Sequence, residues 1–321
     1  MSEPSLTPSL TPSLAPSLTS TEIATQPACW RRAAQTAAAA ASTAGLPRPG
    51  ERVAVTGCGT SWFMAQAYAA LREASGQGET DAFPASEFPV MRTYDRLVVI
   101  TRSGTTTEVL DLIEEVRERW EVFALTADPA SPVVRGADET AVLDWADEES
   151  VVQTRFATTA LAYLRAGLEA SGALPPGVKG MAEAATDAET ALQDPLPAEI
   201  LAAGQWTFLG AGWTYGLAQE AALKMREAAG AWTEAYPAME YRHGPIAITA
   251  PGRVAWLLGT APAGLETDIS RTGGTLVADG ARLDPMADLI RAQRLAVAVA
   301  QSRNLNPDTP KNLTRSVILN G

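Results

Sequence analysis

The stretch Arg52–Ala74, RVAVTGCGTSWFMAQAYAALREA, constrains the fold more than any other. Arg52–Thr56 alternates and is rich in valine, the pattern of a buried strand. Gly57-Cys58-Gly59-Thr60-Ser61 is a tight turn, and from Ser61 to Ala74 the residues Phe63, Ala67, Leu71 and Ala74 recur at helical spacing. A strand, a glycine turn and a helix in this order aim the first N–H groups of the helix at whatever lies above the sheet edge. That makes an anion site, most often for phosphate. Thr60 and Ser61 add hydroxyl donors at the same place. Any α/β protein uses glycines in such a turn for geometry alone, so the turn by itself leaves both readings open.

A second loop bears on the choice. Arg96–Ile100 (RLVVI) is another buried strand. It runs into Thr101-Arg102-Ser103-Gly104-Thr105-Thr106-Thr107 and then a helix with Val109, Leu112, Ile113 and Val116 on one face. Thr105 and Glu108 have the spacing of a capping box, which predicts where that helix starts. Two hydroxyl-rich loops from parallel strands converge on one edge of a sheet, where open α/β sheets bind ligands. Hydroxyls with one arginine and no lysine suit a single phosphate held by many neutral donors; N-capping alone needs only one or two of them. The dinucleotide fingerprint is not met, because Trp62 stands where its third glycine belongs, and GxxxxGK[ST] does not occur.

The chain divides readily around these loops. Residues 1–20 repeat Pro-Ser-Leu and are expected to be a disordered tail. Residues 21–50 read as a helical segment, 51–175 as a first α/β unit, 176–200 as a helical joint, 201–303 as a second α/β unit and 304–321 as a closing tail. Further strands are expected at Glu121–Thr126 and Glu139–Leu143, with a helix near Gln153–Ala170. Thr207–Gly212 opens a second strand-turn-helix leading into Tyr215–Ala229, with later strands at Val254–Gly259 and Gly274–Val277. The two halves echo each other as βα units.

Composition excludes several functions. A formal charge of −12 over 321 residues argues against nucleic acid as a partner, and leaves any anionic ligand to be held by local donors. No apolar run approaches the ~20 residues of a membrane span, so no membrane partner is expected. Cys29 and Cys58 form no disulfide framework and suit a reducing cytoplasm. His243 is the single histidine, which removes His-based metal sites; neither a metal nor another cofactor is expected.

Three stretches carry candidate chemistry. In QEAALKMREAAG, Glu220, Lys224 and Glu227 share one helix face, either as an exposed Glu–Lys pair or as a base with a neighbouring cation. His243 sits in Tyr241-Arg242-His243-Gly244-Pro245, the composition of an irregular loop. The end of the chain, NLNPDTPKNLTRSVILNG, places Lys311 and Arg315 where they could close over an anion, or merely docks the strand-like SVIL.

Together these motifs resemble the sugar isomerase (SIS) domain family, closest to the isomerase half of glucosamine-6-phosphate synthase and its stand-alone aminosugar isomerase/deaminase relatives. The resemblance starts at Thr21-Glu22-Ile23 and Gln26-Pro27. It continues through Gly57–Ser61, Ala85-Ser86-Glu87-Phe88, Thr101–Thr106, Val151–Thr159, Glu220–Glu227, Arg242–Pro245 and Pro310–Val317. It implies an α/β protein of two tandem flavodoxin-like αβα subdomains with parallel sheets. By the same resemblance, Gly59, Thr60, Ser61, Thr101, Arg102, Ser103 and Thr106 would hold the phosphate of a phosphorylated sugar or aminosugar. Glu227 would move the proton between C1 and C2 with Lys224 beside it. His243 would assist ring opening from the partner subunit of a homodimer with a shared site.

Three departures qualify the resemblance. The sequence begins Met1-Ser2 with no glutaminase region. Arg315 stands where the synthase tail carries an imine-forming lysine; arginine stays protonated but can clamp phosphate or hydroxyls. Gln153 replaces a serine, so substrate contacts there differ. The expected activity is aldose–ketose isomerisation, with or without deamination, of a hexose or aminohexose phosphate. The alternatives are a non-catalytic phosphosugar sensor and a subunit that takes ammonia from a separate glutaminase.

Overall fold

The computed structural model describes residues 16–40, 45–280 and 282–319. Helices α1 (Leu18–Ala24) and α2 (Gln26–Ala40) precede a first half made of β1 (Val53–Gly57), α3 (Thr60–Ala74), β2 (Thr80–Pro84), β3 (Arg96–Ile100), α4 (Thr107–Val116), β4 (Glu121–Thr126), α5 (Pro132–Gly136), β5 (Glu139–Val142) and α6 (Arg155–Ala170). Helix α7 (Met181–Gln193) and the short α8 (Ala198–Leu201) follow. The second half runs β6 (Gln205–Gly210), α9 (Thr214–Ala229), β7 (Thr233–Pro237), β8 (Arg253–Leu257), α10 (Leu265–Arg271), β9 (Thr275–Ala278) and α11 (Pro285–Ser302).

Both sheets are parallel, with strand orders β2-β1-β3-β4-β5 and β7-β6-β8-β9. These are the two flavodoxin-like subdomains. β1 and β3 are buried along their whole length, as strands of a parallel sheet covered on both faces must be. Strand order reverses between β1 and β3, so their C-terminal loops diverge to opposite faces and leave a crevice at that edge.

The halves share one core. Helices α3 and α9 pack on each other, and a single apolar cluster joins Phe63, Ala67 and Tyr163 of the first half to Leu217, Met225 and Trp256 of the second. Helix α7, expected as a joint, buries Met181, Ala184, Ala185, Ala188 and Ala191 in that cluster and packs on α2 and α11. The 176–200 segment therefore binds the halves together as well as linking them.

Differences from the expected elements have local causes. Helix α1 begins inside the segment expected to be a disordered tail. Ser17 caps it, and the Asp308 carboxylate accepts from the Leu18 and Thr19 N–H groups at 3.0 and 2.8 Å, a partner 290 residues away in sequence. Residues 1–15 of the repeat lie outside the described residues. The edge strands β2 and β7 lack a long apolar run and form by pairing with β1 and β6.

The α3–α9 crossing depends on Gly216. A Cβ there would fall 2.4 Å from the Phe63 carbonyl oxygen and 2.9 Å from the Ala67 nitrogen, both backbone atoms. Replacing this glycine gains roughly 1 kcal/mol of helix propensity. The clash outweighs it, so Gly216→Ala should lower stability by about 1–3 kcal/mol. Thermal unfolding checks this, and an unchanged Tm would mean that the two helices separate freely.

Candidate active site

Two turns build one wall of the crevice. Gly59 takes φ +55°, a left-handed conformation that lets the chain leave β1 and start α3 at Thr60 without a Cβ penalty. Gly104 takes φ +62°, and a Cβ on it would meet Ser131 Oγ at 2.2 Å, so the loop after β3 can fold this tightly only with glycine. That loop presents the hydroxyls of Ser103, Thr105 and Thr106 in front of α4. Thr106 is the N-cap of α4 and makes no capping bond with its side chain. The expected capping box is thus not formed: the Thr105 hydroxyl turns to Ser103 at 3.0 Å.

The facing wall belongs to α9. Lys224 is buried and donates to Thr60 Oγ1 at 3.0 Å and to the Glu227 carboxylate, and it lies 3.4 Å from Glu220. Glu220 is fully buried, whereas 19% of the Glu227 side chain is exposed, into the cavity. The exposed-pair reading of this helix is therefore overturned; the i, i+4, i+7 face points inward across the subdomain junction. Burial pushes the Glu220 carboxyl up to about 8, against the pull of Lys224. Burial works against the Lys224 ammonium too, but Glu220 and Glu227 outweigh it and hold its pKa above the ordinary value.

The cavity between these walls measures about 210 Å³. Gly59, Thr60, Arg102, Ser103, Thr106, Gln153, Glu227 and Arg315 border it, with Lys224 behind Glu227. Ser61 and Thr101 are buried and do not border it. The Arg102 guanidinium is engaged by the carbonyls of Ser150 (3.2 Å), Val151 (3.4 Å) and Arg315 (3.2 Å), and sits 3.7 Å from the Glu148 carboxylate. It braces the surrounding loops. Arg315 pairs with Asp147 at 2.5 Å and donates to the Glu148 carbonyl. Gln153 Nε2 is buried without a partner, a donor available to a ligand. His243 lies exposed on the turn Glu240–His243 and borders no part of this cavity, while its neighbour Arg242 pairs with Asp268 at 2.8 Å.

Seven lining residues were not among the expected site residues, and three of them bring side chains of chemical interest. Cys58 and Glu108 face the cavity, the latter with one buried carboxylate oxygen unpartnered. Ser316 enters from the tail. Proximity of Glu108 to the Thr-rich loop was the available signal for it; nothing local marks Ser316. The SVIL segment forms no strand and is held along α4 by Thr107 N–H donating to the Val317 carbonyl at 3.2 Å. Among the described residues no group of three His, Cys, Asp or Glu is placed to hold a metal ion, and no helix is long and apolar enough to cross a membrane.

Residues 48–166 match the SIS domain family. The chain is 27% identical to a glutamine–fructose-6-phosphate aminotransferase (isomerizing) of Nostoc sp., over 83% of this chain and 52% of that protein. It is 30% identical to the same-named protein of Aeropyrum pernix, over 69% of this chain and 43% of that protein. The chain thus spans about half the length of the curated relatives it matches. Its fold is that of glucosamine-6-phosphate deaminase from Thermotoga maritima (TM-score 0.80, 22% identity, 94% of this chain and 100% of that one). It is likewise that of tagatose-6-phosphate ketose/aldose isomerase from Escherichia coli (TM-score 0.75, 19% identity, 98% and 99%).

The buried triad has a pH signature. A carboxyl whose folded pKa stands above its unfolded value binds protons more tightly when folded, so its contribution to stability is lost as pH rises through the folded value. With Glu220 raised from 4.5 to about 8, wild type should lose stability relative to Glu220→Gln as pH goes from 5 to 8. Urea unfolding of both proteins across that range measures it. A pH-independent difference would mean that Glu220 titrates normally.

Proposed function

The chain carries a SIS domain at residues 48–166, and on that premise we propose that it is a phosphosugar isomerase acting on a hexose or aminohexose 6-phosphate. The observation that carries this reading is that one cavity is bordered by the hydroxyl loops of the first half and by Glu227 of the second. The names of the relatives and similar structures point to the substrate class: they name fructose 6-phosphate, glucosamine 6-phosphate and tagatose 6-phosphate.

In this reading Thr60, Ser103 and Thr106 hold the phosphoryl group, aided by the positive end of α4. Ser61, Thr101 and Arg102 keep their loops in place. Glu227, as a carboxylate, takes the proton from the carbon next to the carbonyl of the open-chain sugar. The electrons of that C–H bond form the enediol, and the same carboxyl returns the proton to the neighbouring carbon, exchanging aldose for ketose. Lys224 positions Glu227 as its ion-pair partner, and the Lys224–Thr60 bond fixes both relative to the phosphate loop. Gln153 and Glu108 are available for the sugar hydroxyls. His243 lies outside this cavity in its own chain, so a role in ring opening requires a second copy of the chain, in a homodimer.

Glu227→Gln should reduce kcat by roughly two to four orders of magnitude, the usual worth of a general base, and leave phosphosugar affinity within a few-fold. NMR in deuterated water reads both the isomer and the exchange of the C2 proton. Unchanged turnover removes Glu227 from the reaction. Binding without any proton exchange in wild type would make the chain a sensor instead. Ser103→Ala with Thr106→Ala should raise KM far more than it lowers kcat, and a normal KM would put the phosphate elsewhere.

A further inference from the structure

The second sheet has a crevice of its own that the reaction proposed above does not use. Strand order reverses between β6 and β8 as it does between β1 and β3, and open α/β sheets bind ligands at the C-terminal ends of strands flanking such a reversal. A pocket of about 430 Å³ lies there, within the size range of small-molecule sites. Trp213 and Thr214 border it from the turn after β6, Thr260 from the loop after β8, and Asp284 and Pro285 from the start of α11. Pro175, Pro176 and Val178 add a further wall from the connection between α6 and α7.

One buried arginine of the first half holds this pocket in shape. The Arg165 guanidinium stacks 5.3 Å from the centroid of the Trp213 ring, pairs with Asp284 at 2.6 Å and donates to the Lys179 carbonyl, so it ties three walls together. The Arg165 and Asp284 side chains are 0% and 1% exposed, which makes their pair part of the core and the pocket pre-formed. Pro175 and Pro176 restrict the backbone of the remaining wall. The lining charges cancel: the Lys179 ammonium pairs with Asp187 at 2.6 Å, and Asp284 with Arg165. The Thr214 hydroxyl is taken by the Ala211 N–H at 2.8 Å. Among the described residues, the Thr260 hydroxyl and the Trp213 indole N–H are left as lining side-chain groups without a partner.

We propose that this pocket is a second ligand site, for an uncharged planar heteroaromatic ring of the size of a nucleobase or an indole, stacked on Trp213. An anion would find no free cation there and would lose its hydration without compensation. A sugar would bring more hydroxyls than two free groups can satisfy, and each one left unpaired opposes binding. A flat ring with few polar edge atoms meets both limits, with its faces against Trp213 and the prolines and its edge toward Thr260. The first half shows what was exchanged, because Thr60, a hydroxyl bonded to Lys224, stands in the position that Trp213 takes in the second turn. The ligand is distinct from the sugar substrate: Trp213 precedes Glu227 by 14 residues on α9. That separation is roughly 21 Å at the helical rise per residue.

The test is ligand-observed proton NMR on the full chain, with adenosine and indole as ring probes and glucose and methyl phosphate as sugar and anion probes. Wild type should bind at least one ring probe in the millimolar range or tighter, and fructose 6-phosphate should not displace it. Trp213→Ala should weaken that binding about fivefold to a hundredfold, the usual worth of one stacking contact. Val178→Trp should abolish it by filling the pocket, and this variant carries the test if Trp213→Ala does not fold. If neither ring probe binds, or both variants bind it as wild type does, there is no such site. Loss in Val178→Trp with full binding in Trp213→Ala overturns the stacking. Displacement by fructose 6-phosphate overturns the proposal too, because the ring would then sit beside Glu227. Binding of glucose or methyl phosphate alone, lost in Val178→Trp, overturns the ring as the ligand.

Discussion

A lysine ammonium held between the Glu227 carboxylate, the buried Glu220 carboxyl and a threonine hydroxyl, out of contact with water, fixes how the two halves of this chain meet. Lys224 comes from α9 of the second half and Thr60 from the first turn of the first half. Withdrawing such charges from water costs several kcal/mol per ion, which is recovered only when each finds a partner in good geometry. Removing one partner strands the others. The triad thus penalises any other register of α9 against α3, and the backbone approach at Gly216 enforces the same register sterically. Because Glu227 lies one turn beyond Lys224 on a rigid helix, its place facing the hydroxyl loops follows from this junction.

The two halves repeat a topology and divide the work. Gly57-Cys58-Gly59-Thr60-Ser61 has its counterpart in Gly210-Ala211-Gly212-Trp213-Thr214, and Gly59 and Gly212 share φ +55°. Trp213 stands where Thr60 does, and the Thr214 hydroxyl turns back to its own loop at the Ala211 N–H. After β8 the chain continues Leu258-Gly259-Thr260-Ala261-Pro262, with one hydroxyl where the first half has many. The first sheet edge therefore collects neutral donors, and the second contributes a charged helix. Neutral donors suit a chain of net charge −12, because they bind an anion without building a positive field.

Around this site lies a second network, made by residues far apart in sequence. The Glu148 carboxylate accepts from the Thr154 and Arg155 N–H groups at the start of α6, at 2.6 Å each, and Arg102 lies 3.7 Å away from it. Glu22 of α1 accepts from the Glu149 N–H at 2.6 Å, and Asp308 caps α1 in turn. The first helix, the loop before α6 and the C-terminal tail thus brace one another beside the cavity.

The sequence by itself determined the parallel α/β architecture, most strand positions and the two loops that border the cavity. Buried strands of valine and isoleucine and glycine turns before helices are local patterns, readable without neighbours. It also singled out Glu227 and Lys224, because helical spacing is a property of the segment alone. Whether that face was wet or dry was not local: it depends on α3 arriving opposite it. Tertiary structure alone decided that Glu220 is buried, that α1 starts at Leu18 under a cap from Asp308, and that Thr105 serves Ser103 instead of a capping box. It also gave Arg102, at the border of the cavity, three loop carbonyls as partners, and set His243 outside the cavity of its own chain. Finally, it brought Ser316 against the loop after β3, since a serine in a polar tail carries no signal until the fold supplies the hydroxyls of Ser103, Thr105 and Thr106 beside it.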